Sequence, residues 1–98
     1  MPGAPVTIAF ATGSAELPTA GLSALRGLAA RRGPGSIAVI GYGDATSTDP
    51  EAQSAALPLA WDRAQAIARA LLVAGVPNTS LRIASEASGH GGVARIVN

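Results

Sequence analysis

Asp44 and Arg63 are the charged residues whose placement in this chain suggests chemistry. The apolar run Ile37-Ala38-Val39-Ile40 stops at Gly41-Tyr42-Gly43-Asp44, and Arg63 follows behind a long small-residue connection. A carboxylate just past a strand's C-terminal end stands where α/β folds commonly place ligand groups. An arginine in the first turn or two of the succeeding helix converges on the same mouth. It also opposes the helix dipole, a small cost that asks for another reason. The competing reading is an internal ion pair of Arg63 with Asp44 or Asp62, worth only about 0–1 kcal/mol at a surface.

The remaining chemistry-bearing residues are sparse. His90 is the only histidine and lies in the glycine-rich turn "SGHGG". A lone imidazole without paired carboxylates is a poor zinc site, since zinc takes three or four protein ligands. A Ser14–His90–Asp44 triple can be drawn, but no nucleophile-elbow pattern surrounds any serine, so the chain is not expected to be an enzyme. "GYGD" lacks the lysine of a phosphate loop and the third glycine of a dinucleotide fingerprint, and no cofactor is implied. Tyr42 and Trp61 offer stacking surfaces, but helical geometry favours reading Trp61 as a partly buried packing residue in a helix's first turn.

These residues must be positioned by one domain. A chain of 98 residues supports a single core, and 48% apolar against 13% charged residues argues against intrinsic disorder. The seven basic residues are all arginine and are scattered, so the basic stripe of a nucleic-acid binder is missing. There is no cysteine, which excludes disulfides and thiolate metal sites. No apolar stretch approaches the ~20 residues of a membrane span. The opening "MPGAPVTIAF" lacks the regions of a signal peptide, so the chain is read as cytoplasmic or as a domain excised from something longer.

Element by element, Val6–Phe10 reads as a strand, and Thr19 as the N-cap of a helix over Ala20–Arg31 with Leu22, Leu25 and Leu28 in one stripe. The run "RRGPG" stops that helix at Gly33 and Gly35. A covered strand follows over Ser36–Gly41. Tyr42 to Pro58 reads as a long loop. A second helix spans Leu59–Ala74, closed by Gly75 and Pro77. Strands over Leu81–Ala87 and Val93–Val97 complete the order β-α-β-α-β-β. That order predicts an α/β (α+β) two-layer sandwich: a mixed four-stranded sheet with two helices on one face, over residues 1–98.

Four segments resemble the OmpA-like peptidoglycan-binding domain (the OmpA C-terminal, Pal and MotB family). "IAFATGSAELPTAGLSALRGLA" is similar to the family's opening strand, Ser-Ala-x-Leu turn and first helix. "IAVIGYGDA" resembles the strand ending Gly-His-Thr-Asp, with Tyr42 and Gly43 in place of the His and Thr. "LAWDRAQAIARALLVAGV" resembles the helix that opens Leu-Ser-x-x-Arg-Ala, and "SLRIASEASG" the following strand. The resemblance implies a cell-wall module that holds the meso-diaminopimelate of the peptidoglycan stem peptide. Asp44 would receive the ammonium and Arg63 would fork onto the carboxylate. Tyr42 and Gly43 would be neighbouring contacts, and Arg95 the remnant of the family's Asn-Arg-Arg run, which is otherwise missing here. It also implies export to the periplasm or cell envelope within a longer protein, with a possible envelope protein partner and no direct membrane insertion. The missing run, and Ala56 where the family has Asn, leave a second reading open: a protein interaction or assembly module that has lost cell-wall binding.

Overall fold

A computed structural model describes residues 5–32 and 35–97 of the chain. In order along the chain stand β1 (Val6–Ile8), α1 (Thr19–Arg31), β2 (Ser36–Ala45), α2 (Pro50–Val73), β3 (Leu81–Ser88) and β4 (Gly92–Val97), with a 3₁₀ turn over Asn78–Ser80. The four strands form one mixed sheet in the order β1-β4-β2-β3. Strand β4 is antiparallel to both β1 and β2, while β3 runs parallel to β2. Parallel strands need a crossover, and α2 supplies it. The expected two-layer β-α-β-α-β-β sandwich is the observed fold.

Strand β2 alternates buried and half-buried residues from end to end, with Ile37, Val39, Gly41 and Gly43 turned toward the helices. Together with Leu25 and Leu28 from α1 and Ile67 and Leu71 from α2, Ile37 and Val39 belong to one core. With so few aromatics the layers must approach closely, and two glycines allow it. A Cβ at Gly41 would be driven into the Ala60 carbonyl oxygen, and one at Gly43 into that of Ala56. Ala56, Ala60 and Ala64, four residues apart on α2, are all buried against this stretch of β2.

The largest departure from expectation is α2, which begins at Pro50 and not near Leu59. Asp49 caps it by accepting from the Glu51 N–H, Pro50 occupies a position where no N–H is needed, and Glu51 suits the positive helix end. Pro58 sits inside the helix without ending it. A proline removes one backbone bond and crowds the carbonyl four residues earlier, a cost on the order of 3 kcal/mol. Burial of the alanine stripe on both sides of Pro58 outweighs that local penalty. The expected long loop shrinks to residues 46–49.

Smaller corrections follow the same logic. Strand β2 continues past Gly41 to Ala45, so Asp44 lies within it; β1 stops at Ile8, short of Phe10. Thr19 is the first residue of α1 and makes no side-chain cap; Pro18 holds the cap position. Helix α1 ends at Arg31 as expected; of the residues expected to stop it, Gly33 lies outside the described residues.

Candidate functional site

The last turn of β2 is irregular. Between Tyr42 and Ala45 the pairing with β3 slips, so that three steps along β2 match two along β3, from Glu86 to Ser88. This is a bulge, and its extra residue turns the strand. Asp44 has φ of 67°, the left-handed region that a non-glycine residue enters at a cost of about 1–2 kcal/mol. By simple alternation Asp44 would share the open face with Tyr42. The bulge instead brings its carboxylate back to Arg63 on α2.

Arg63 is completely buried, the only charged residue so placed among the described residues. Each of its five N–H groups has a partner. Nη1 and Nη2 fork onto Oδ1 and Oδ2 of Asp44, both at 2.8 Å. Nη1 also donates to the Tyr42 carbonyl at 2.8 Å, Nη2 to that of Ala11 at 3.0 Å, and Nε to that of Ser14 at 2.8 Å. The guanidinium carbon stands 5.3 Å from the Phe10 ring centroid, within cation–π range. Arg63 thus ties α2 to the end of β2 and to the segment after β1. Its position deep inside α2 also removes the supposed conflict with the helix dipole, since that field is felt only in the terminal turns.

Asp44 is equally engaged, although its side chain keeps 18% of its surface in solvent. Oδ2 also accepts from the Gly13 N–H at 3.2 Å, and His90 Nδ1 lies 2.5 Å from Oδ1. An ionised carboxylate only accepts, so Nδ1 carries the proton in that contact. The Arg63 hydrogen bonds hold the Asp44 carboxyl well below the usual carboxylate range, against the opposing effect of desolvation and with help from Gly13 and His90. The His90 turn is held over the site by backbone bonds, Tyr42 N–H to the Gly91 carbonyl and Asp44 N–H to the Gly89 carbonyl. Gly89 and Gly91 have φ of 91° and 77°, conformations that leave His90 at the tip of a tight turn.

The carboxylate borders a cavity of about 370 Å³ lined by Thr12, Asp44, Ala45, Thr46, Gly89 and His90. Arg63 is not in its wall. Of the five residues that the sequence put forward, Asp44 and Arg63 are brought together. Tyr42 contributes its carbonyl to Arg63, while its ring packs where a Cβ on Gly89 would fall. Gly43 is buried beneath the Ala56 carbonyl, where its lack of a side chain serves helix packing. Arg95 pairs with Ala38, six residues from Asp44 along β2 and so about 20 Å away, exposed on the open face. The structure does not bring Arg95 to the site.

The Gly13 N–H is a partner that sequence reasoning missed, and His90 is one that it weighed only as a metal ligand or catalytic group and set aside. The clue to His90 was its glycine setting. Its contact with Asp44 depends on β4 returning beside β2, a long-range event. Ser14 joins through its carbonyl, and its hydroxyl accepts from the Glu16 N–H, so the Ser14–His90–Asp44 triple is not assembled as a catalytic relay. Trp61 lies mid-helix and is 47% exposed. No helix among the described residues is long and apolar enough to cross a membrane.

A two-layer α/β module carrying a buried Arg–Asp pair at a bulged strand end is the class that this fold and site define. The family model for the OmpA family matches residues 9–97, and the chain belongs to that family. OmpA-like domains are typically peptidoglycan-binding modules. Among solved structures, the OmpA-like domain of FopA1 from Francisella tularensis subsp. tularensis SCHU S4 is similar, with a TM-score of 0.77 and 20% identity over 95% of this chain and 70% of that one. The peptidoglycan-associated lipoprotein from Burkholderia pseudomallei gives 0.70 and 21% over 93% of this chain and 87% of that one. The C-terminal domain of Helicobacter pylori MotB (residues 125–256) gives 0.73 and 18% over 97% and 84%. At these identities the likeness is one of fold. No curated protein matches the sequence.

Proposed function

We propose that this domain is a non-catalytic cell-wall binding module of the bacterial envelope that recognises the diaminopimelate of the peptidoglycan stem peptide. Family membership supports the class. The observation that carries the ligand is the Asp44 carboxylate, bonded by Arg63, Gly13 and His90 at the edge of the 370 Å³ cavity and favoured in its ionised form by those contacts. A fixed anion in a partly dry setting suits an ammonium group.

The division of labour differs from the one first inferred. Arg63 has no N–H to spare, so a fork onto a ligand carboxylate would require pulling it off Asp44 or off backbone carbonyls. Its part is to hold Asp44. Of the groups on Asp44, His90 is the one that can leave: it is 55% exposed and sits on a glycine-flanked turn. The ligand ammonium takes its place on Oδ1, and the ligand carboxylate meets the Thr12 and Thr46 side of the cavity. One charge-assisted bond contributes about 1.5–3 kcal/mol, and ordering of the turn opposes it. Affinity for the free amino acid is therefore weak, on the order of 10 mM.

Titration with meso-diaminopimelate, followed by backbone amide NMR, tests this. Shifts are expected at Thr12–Gly13, Asp44–Thr46 and Gly89–His90, together with retention on purified sacculi. Absence of shifts at about 100 mM ligand, about tenfold above the expected dissociation constant, overturns the reading. The second reading, an interaction or assembly module without cell-wall binding, is favoured by one specific observation: the mutual saturation of Arg63 and Asp44. A domain that folds normally and leaves sacculi in the supernatant would establish it. Export to the periplasm belongs to the same proposal and is tested by fractionating cells that make the full-length protein.

A further inference from the structure

Strand β3 has a neighbour on one side only, since it ends the sheet order β1-β4-β2-β3. An eight-residue edge offers a row of unpaired N–H and C=O groups, which natural sheets usually blunt or cover. Charge is the blunting device here, and its pattern is specific. Arg82, Ala84 and Glu86 point to the open face and are exposed. Arg82 and Glu86 are four residues apart, about 13 Å along a strand, too far to pair with each other. Among the described residues neither makes an ion pair.

We propose that the β3 edge is a docking surface for a second copy of this chain, paired antiparallel about a two-fold axis through Ala84. In that register Arg82 of each copy lies directly opposite Glu86 of the other, which gives two cross-strand ion pairs around a small central residue. Shifting the register by two residues either way sets neither charge opposite its complement. An isologous pairing of this kind closes on itself and does not propagate.

The helix-facing side fits the same register. Leu81 and Ile83 are half-buried on that face, and pairing places them opposite Ala87 and Ser85 of the other copy. Beside those two residues, between β3 and the first turns of α2, runs an open groove of about 630 Å³ whose wall includes Leu57. The copy's Leu81 and Ile83 enter this groove. Leu57 is 44% exposed, and Trp61, one turn further along α2, is 47% exposed. Helix α2 packs over β2 and β3, so in the dimer the two α2 helices stand two to three strand spacings apart, about 10–14 Å. Close helix packing needs 8–10 Å, and Leu57 and Trp61 from each copy fill the remaining width. This surface is separate from Asp44 and does not rest on the proposed ligand.

Sedimentation equilibrium of the chain up to about 1 mM, the weak end of specific association, tests the proposal. Trp61 is the only tryptophan, so its emission reports the same event and is expected to shift to the blue as the dimer forms. Arg82→Glu alone and Glu86→Arg alone each set like charges opposite one another twice. Each is expected to weaken the dimer on the order of tenfold, with circular dichroism unchanged. The double reversal, Arg82→Glu with Glu86→Arg, restores complementarity and is expected to recover dimerisation. A monomer throughout the concentration range, single reversals without effect, or a double reversal that fails to recover would each overturn the proposal.

Discussion

Replacing Arg63 with alanine removes five donated hydrogen bonds at once and leaves Asp44 without its counter-charge. The remaining carboxylate is mostly shielded from water, and the Tyr42 carbonyl and the Ala11–Ser14 segment lose the group that ties them to α2. Breaking a buried pair by removing one partner costs about 3–5 kcal/mol. The Phe10 contact adds about 0.5 kcal/mol or more. A domain of this size has about 5–15 kcal/mol in total, so the variant should lose from about a quarter to nearly all of its stability. Each kcal/mol moves the melting temperature of a domain near 100 residues by about 4–8 °C, which puts the loss at about 12 °C or more. Thermal unfolding by circular dichroism, with urea titration alongside, measures it. Asp44→Ala combined with Arg63→Ala should cost less than the sum of the two single changes, since the double variant strands no charge. A variant that melts within about 4 °C of the parent, under 1 kcal/mol, yet releases sacculi would refute the organising role. It would return Arg63 to direct contact with the ligand.

The Asp44 carboxyl titrates far lower in the folded chain than its unfolded value of about 3.9, so the unfolded chain binds the extra proton as pH falls. The stability it contributes is therefore fully present above about pH 5 and is lost progressively below pH 4. Asp44→Asn should flatten the acid limb of a stability–pH profile while lowering stability at neutral pH. His90→Ala vacates Oδ1 and should tighten diaminopimelate binding by about two- to fivefold in the NMR titration with little change in melting temperature; weaker binding would make His90 a ligand contact. Gly41→Ala and Gly43→Ala each force a backbone carbonyl of α2 away from β2 and should cost about 1–3 kcal/mol by urea unfolding. Gly27→Ala on α1 meets nothing within 4 Å and should instead stabilise by about 0.5–1 kcal/mol.

The element order, the single core and the convergence of Asp44 and Arg63 on one place were legible in the chain, because each rests on a local signal; whether Arg63 pairs with Asp44 or Asp62 was not. Leucine spacing marks α1, β-branched runs mark β2 and β4, and the motif order around Asp44 and Arg63 carries the family. Local signals misled at Pro58, where a residue that usually ends a helix is overruled by Ala56, Ala60 and Ala64 packing on Gly41 and Gly43. From sequence, Gly41 reads as a strand's last residue and Gly43 as a loop residue beside a ligand, until the layer that presses on both is known. Tertiary structure alone decided the state of the site. Asp44 turns toward Arg63 through a bulge that has no sequence signature, and His90 reaches it because β4 folds back beside β2. Whether an arginine is offered to a ligand or consumed by the fold depends on how many acceptors surround it. Those acceptors are backbone carbonyls, identical in every residue, so only the folded chain determines which of them Arg63 meets.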